Sequence, residues 1–124
     1  MQCDASSYGL GGVLLQSGKP VYYASRSLTT AEQNYSQIEK EALAIQFSTQ
    51  RFHDYVYGRK IQVISDHRPL ESIFKKTLLN APKRLQRILM NLSSYDLEVV
   101  WQPGTSMLLA DQLSRAVSKR DEEA

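Results

Sequence analysis

Gly58-Arg59-Lys60-Ile61-Gln62-Val63-Ile64-Ser65-Asp66 decides the fold class. Gly58 stops a long helical pattern, and Lys60 to Ser65 reads as a strand that delivers Asp66 at its C-terminal end. A helix answered at once by such a strand belongs to an α/β sheet, whose ligand sites favour the C-terminal ends of strands.

Immediately upstream, Ser36-Gln37-Ile38-Glu39 is a capping box, and Thr29-Thr30-Ala31-Glu32 offers a shorter one before it. Ile38, Ala42, Ile45, Thr49, Phe52 and Val56 step by four and three, so one helix is expected to run to Gly58. At about 100° per residue Glu41 lies about 60° from this stripe, Glu39 about 100° away on the other side, and Lys40 points outward. Glu41 is therefore the glutamate able to reach over the sheet edge.

Further upstream, Met1 to Cys3 reads as the stump of a strand leading into Asp4. Gly9 to Leu15 gives a second strand, Ser17-Gly18-Lys19-Pro20 a turn, and Val21 to Ala24 a third strand. The three glycines fit neither Gly-rich nucleotide fingerprint. Downstream, Pro69 opens a short helix with Leu70, Ile73 and Phe74, followed by a basic turn at Lys75-Lys76-Thr77. Asn80-Ala81-Pro82 starts another helix, apolar at Leu85, Ile88, Leu89 and Leu92 and basic at Lys83, Arg84 and Arg87. Leu97, Val99 and Trp101 make a last strand, stopped by Pro103-Gly104, and Ser106 caps a final helix carrying Asp111. The order β-β-β-α-β-α-α-β-α predicts an antiparallel meander continued by parallel strands, with helices on both faces.

The 124 residues suffice for one domain, expected over 1–116, with a charged tail or linker at 117–124. A net charge of +2 is too mild to mark a nucleic-acid binder, so any such binding needs a local patch. The single Cys3 excludes an internal disulfide and suggests a reducing, intracellular setting with a buried strand cysteine. No membrane span or signal peptide is expected. The seven tyrosines are expected as core and edge-strand fillers, His53 as half-buried, and Asp96 and Glu98 as solvent-side strand residues.

Four acidic residues, Asp4, Glu41, Asp66 and Asp111, stand where the chain changes element. Carboxylates gathered from distant sequence repel unless protons or cations lie between them, so a divalent-metal site is the simplest account. Mg²⁺ prefers such hard oxygen ligands.

Six ordered motifs carry a resemblance. Asp4-Ala5-Ser6 with Gly9-Leu10-Gly11-Gly12-Val13-Leu14, Ala24 to Thr29, and Tyr35 to Ile45 with its Glu39-Lys40-Glu41 come first. Phe52 to Gly58, Asp66-His67-Arg68-Pro69-Leu70, and Ala110-Asp111-Gln112-Leu113-Ser114-Arg115 follow. Together they resemble the ribonuclease H domain of gypsy-like LTR-retrotransposon reverse transcriptases over residues 1 to about 116. The resemblance implies an RNase H-like fold with a five-stranded mixed sheet. It implies an endonuclease that hydrolyses the RNA strand of RNA/DNA hybrids, with Asp4, Glu41, Asp66 and Asp111 holding two Mg²⁺ ions that Mn²⁺ can replace. The expected partners are the hybrid and an upstream polymerase domain of the same polyprotein, in the cytoplasm and in virus-like particles. Arg68, Lys83, Arg84, Arg87 and Asn80 are the expected substrate contacts.

Two departures from the family stand out. The segment Gln102 to Met107 lacks the histidine that many relatives carry before the last acidic residue, and His67 is no clean substitute. The first strand offers three residues before its aspartate where the family has several apolar ones. The alternatives are a catalytically weak or inactive RNase H-like structural module, a retroelement remnant, or another nuclease on the same scaffold.

Overall fold

The computed structural model describes residues 1–70 and 81–102. Its strands are β1 (Gln2–Ala5), β2 (Gly9–Gln16), β3 (Lys19–Ser27), β4 (Lys60–Ser65) and β5 (Asp96–Trp101). Its helices are α1 (Thr30–Gln33), α2 (Gln37–Arg51), α3 (His53–Val56) and α4 (Lys83–Asn91), and 68–70 are also helical. The strands form one sheet in the order β3-β2-β1-β4-β5. β1, β2 and β3 pair antiparallel, while β4 runs parallel to both β1 and β5. This is the expected mixed sheet, and β4 has the expected bounds. The Lys75-Lys76-Thr77 turn, the final helix with Asp111 and the tail lie outside the described residues.

Both capping boxes form, Thr29 with Glu32 at α1 and Ser36 with Glu39 at α2. The α2 stripe is buried at Ala42, Ile45 and Thr49 and continues into Phe52 and Val56. It faces β1 and β2 so closely that a Cβ on Gly12 would collide with Ser48 Oγ. Leu10, Cys3 and Ala24 join this core from the sheet, Val63 and Val99 from the parallel strands, and Leu85 and Ile88 from α4.

Five expectations need correction. The helix does not run unbroken to Gly58: Phe52 leaves helical geometry at φ −103° and ψ 21°, and α3 is a separate turn. Lys40 does not point outward but is only 8% exposed, and Glu39 is buried beside it. The single-stripe reading missed that α2 is covered on two sides, by the sheet and by α4. His53 is exposed, stacked on Tyr57 at 4.8 Å and bonded through Nδ1 to the Tyr95 hydroxyl at 2.6 Å. Tyr22 and Tyr23 lie on the edge strand β3, as expected, but Tyr8, Tyr55 and Tyr57 are exposed and belong neither to the core nor to an edge strand. The turn after β2 is also tighter than expected: Ser17 and Gly18 adopt φ 53° and 76°, a two-residue hairpin turn, so Lys19 and Pro20 belong to β3. Pro20 is tolerated because β3 is an edge strand.

β1 is short but central. It pairs with β2 through all four residues and with β4 at Gln2 opposite Ile64. The Met1 carbonyl accepts from Ile64 N at 2.8 Å, and the Met1 ammonium donates to Gln62 O at 2.7 Å. Among the described residues no helix is long and apolar enough to cross a membrane.

Candidate active site

Asp4 occupies β1 opposite Gly11 of β2, so no side chain crowds it from across the ladder. Glu41 lies in the second turn of α2, and Asp66 directly follows the last residue of β4. Asp4 and Glu41 are each 3% exposed, and Asp66 is the least covered of the three. One carboxylate oxygen from each lies within 4.8 Å of the others. Three elements distant in sequence thus deliver their acids to one end of β1 and β4.

Such a group is unstable with every carboxylate charged and nothing between. At 4.8 Å and an effective dielectric near 20, each like-charged pair is disfavoured by about 3 kcal/mol. Glu41 bears the strain: burial first, then the charges of Asp4 and Asp66, push its carboxyl well above the usual range. Gln37 Nε2 donates to Glu41 Oε1 at 2.8 Å and holds the shift partly back, as does the Ala5 backbone. Oε2 of Glu41 is buried with no hydrogen-bond partner. A buried, orphaned carboxylate oxygen beside two further carboxylates suits a hard divalent cation, which would satisfy the oxygen and neutralise the group.

Asp66 is held from behind. Ser65 O accepts from Gln102 N at 2.9 Å, Ser65 Oγ accepts from His67 N at 3.1 Å, and Trp101 Nε1 donates to Asp66 O at 3.2 Å. Arg68 is exposed beside it, its guanidinium 5.3 Å from the centre of the Trp101 ring. Burial lowers the pKa of the neighbouring His67 and Asp66 opposes this, so His67 is a neutral neighbour at physiological pH.

The basic face of α4 divides. Lys83 and Arg87 are exposed. Arg84 instead turns to α2, 3.4 Å from both Glu39 oxygens and 4.1 Å from the centre of the Tyr35 ring. Asn80 and Asp111 lie outside the described residues. Asp96 and Glu98 are exposed on β5, as expected.

Sequence reasoning did not single out Gln37 or Trp101 at this site. Gln37 had a usable signal, four residues before Glu41 on one helix face. Trp101 had none, because its place beside Ser65 follows from the pairing of β4 with β5.

Residues 1–95 match the family described as the RNase H-like domain found in reverse transcriptase. The chain is 41% identical over 112 residues to the retrovirus-related Pol polyprotein from transposon 297 of Drosophila melanogaster, covering 90% of this chain and 10% of that one. It is 36% identical over 113 residues to the corresponding polyprotein from transposon gypsy of the same fly, covering 90% and 11%. The chain therefore spans about a tenth of the length of these curated relatives. Among solved structures, RNase H1 from the archaeon Halobacterium salinarum superposes with a TM-score of 0.77 at 17% identity, covering 96% of each chain. The foamy viral protease-reverse transcriptase in complex with RNA/DNA hybrid gives 0.65 at 22% identity, covering 82% of this chain and 14% of that one.

Proposed function

The chain belongs to the RNase H-like domain family of reverse transcriptases, and from that premise we propose that it is a divalent-metal-dependent endonuclease cutting the RNA strand of RNA/DNA hybrids during retroelement reverse transcription. The observation that carries this reading is the convergence of Asp4, Glu41 and Asp66 within 4.8 Å, with a buried Glu41 oxygen left for a ligand. In this reading Asp111 completes a quartet that holds two Mg²⁺ ions, with Mn²⁺ as a substitute. Bound there, such ions supply an activated water and charge neutralisation at the departing 3′ oxygen.

The chain's own residues supply position. Asp4 and Glu41, both buried, fix the floor of the site, and Asp66 forms its open edge. Arg68 faces solvent beside Asp66, where a guanidinium meets a backbone phosphate and binds it in either sequence context. Lys83 and Arg87 extend the same electrostatic hold, with Asn80 a polar probe of the RNA sugar. Arg84 already has partners in Glu39 and Tyr35, so its contribution to substrate is the weakest of the set.

The hybrid-bound foamy viral neighbour supports the substrate class, and the Pol polyprotein relatives support an intracellular setting behind a polymerase domain of the same polyprotein. In this reading the domain spans 1–116 and 117–124 is a charged tail or linker. The test uses end-labelled RNA in RNA/DNA and RNA/RNA duplexes with Mg²⁺ or EDTA, comparing the chain with Asp66→Asn. Cutting confined to the hybrid, dependent on Mg²⁺ and reduced at least 100-fold by the substitution supports the reading. Equal cutting by both proteins removes the site assignment.

A further inference from the structure

Gln37 occupies the first position of α2, and Ala5 the last position of β1. One nitrogen joins them: Gln37 Nε2 lies 3.3 Å from Ala5 O and donates to Glu41 Oε1 at 2.8 Å. The same amide therefore touches the strand carrying Asp4, one residue past that ligand, and the helix carrying Glu41, one turn beyond itself. It ties together the two elements that bring the two most buried acids into the group.

Three consequences follow from that geometry. First, the bond fixes which Glu41 oxygen is taken. Oε1 is occupied by Gln37, while Oε2 is the buried oxygen with no hydrogen-bond partner. Second, the donor is neutral. A lysine or arginine at the same place would cancel the carboxylate's charge and compete with a cation, whereas an amide orients the carboxylate and leaves its charge available. Third, Gln37 is an exposed residue in the first turn of the helix, with its amide part-buried against Glu41. The fold has little need of it, since Ser36 and Glu39 already cap the helix.

We infer that Gln37 is a positioning residue for cation binding, holding Glu41 against the end of β1 so that its second oxygen, beside Asp4 and Asp66, faces the cation. This rests on the metal-nuclease reading of the acidic group and adds a residue outside the quartet to it. An ordinary helix-surface pair of Gln and Glu would stabilise α2 slightly and do nothing to metal affinity.

The two roles separate in one experiment on the full 124-residue chain. Mn²⁺ is titrated into the wild type, Gln37→Met and Gln37→Leu, with free Mn²⁺ read by electron paramagnetic resonance, and each protein is melted in EDTA. Both variants keep an unbranched or γ-branched helix-forming side chain at an exposed position, so folding is preserved and the EDTA melts verify it. The expected result is a Mn²⁺ affinity lower by about 10- to 100-fold in both variants with closely similar melts. Steady-state cleavage should then need about 10- to 100-fold more metal to reach half of its maximal kcat, with an unchanged KM for the hybrid. Variants that bind Mn²⁺ within twofold of a wild type that itself binds overturn the positioning role alone. A wild type that takes up no Mn²⁺ overturns the metal reading and this inference with it.

Discussion

Glu41 is the residue whose chemistry most depends on what fills the site. Burial, then Asp4 and Asp66, raise its carboxyl pKa, so the metal-free folded chain retains a proton that the unfolded chain releases above about pH 4.5. A raised folded-state pKa means that this stability is complete below the unfolded value and is lost as pH climbs through the folded one. Relative to Glu41→Gln, the melting temperature of the wild type in EDTA should therefore fall as pH rises above about 4.5. Saturating Mg²⁺ should restore it, by about 2.7 kcal/mol when the ion is at 100 times its Kd. Glu41→Gln should remove this part of the pH dependence and abolish most of the Mg²⁺ gain, and calorimetry across pH with and without the ion checks both. A second residue reports on the same site. Trp101 is the sole tryptophan, and its indole N–H donates to the Asp66 carbonyl at 3.2 Å. Paramagnetic Mn²⁺ held by Asp66 should quench its emission, while Mg²⁺ at equal occupancy should not. Equal responses to the two ions would place the cation away from Asp66.

At the scale of elements, the tightest join is between α2 and β2. Gly12 is required there because a Cβ would run into Ser48 Oγ, which donates to Ala44 O at 2.8 Å inside the helix. Gly12→Ala should destabilise the chain by about 2 to 3 kcal/mol, seen as a lower urea midpoint with an unchanged slope. Adding Ser48→Ala should recover only part of this, since Ser48 Cβ itself stands 3.0 Å from the position of the new methyl group. Full recovery would locate the clash in the hydroxyl alone. This join also shows what was legible beforehand. The strand of Lys60 to Ser65 and the capping box at Ser36 were readable because each is written in adjacent residues. The choice of Glu41 over Glu39 was readable from helical period. The break at Phe52, the burial of Lys40 and the turning of Arg84 to Glu39 were not, because each depends on how α4 and the sheet close around α2. Gathering Asp4, Glu41 and Asp66 was expected from their places where the chain changes element and from the family resemblance, but only tertiary packing could reveal that Gln37 holds one oxygen of Glu41.

At the scale of the whole molecule, β1 is the four-residue centre of the sheet. β1 lies between β2 and β4, yet beyond Gln2 its pairing with β4 is carried by Met1 alone, whose amine is partly desolvated and consequently lowered in pKa. Continuing the register backward from Met1 leads between the end of β2 and the start of β4. A groove of about 320 Å³ opens there, lined by Leu14, Leu15, Gln16, Tyr22, Tyr55 and Ile61. Three residues added before Met1 as Thr-Val-Thr would turn the buried ammonium into an ordinary amide, extend both ladders and set the valine on the same face as Met1 and Cys3. Two or so ladder hydrogen bonds at about 1 kcal/mol each, with one buried valine, stabilise by about 3 kcal/mol. In a chain of this size that raises the melting temperature by roughly 10 °C. Gly-Ser-Gly at the same place removes the buried ammonium without filling the groove or favouring a strand, so it should deliver well under half the gain. Equal melting temperatures for the two extensions would show that the groove does not accept β1. A gain in both stability and Mn²⁺ affinity for Thr-Val-Thr would show that anchoring the strand also steadies Asp4 within the acidic group.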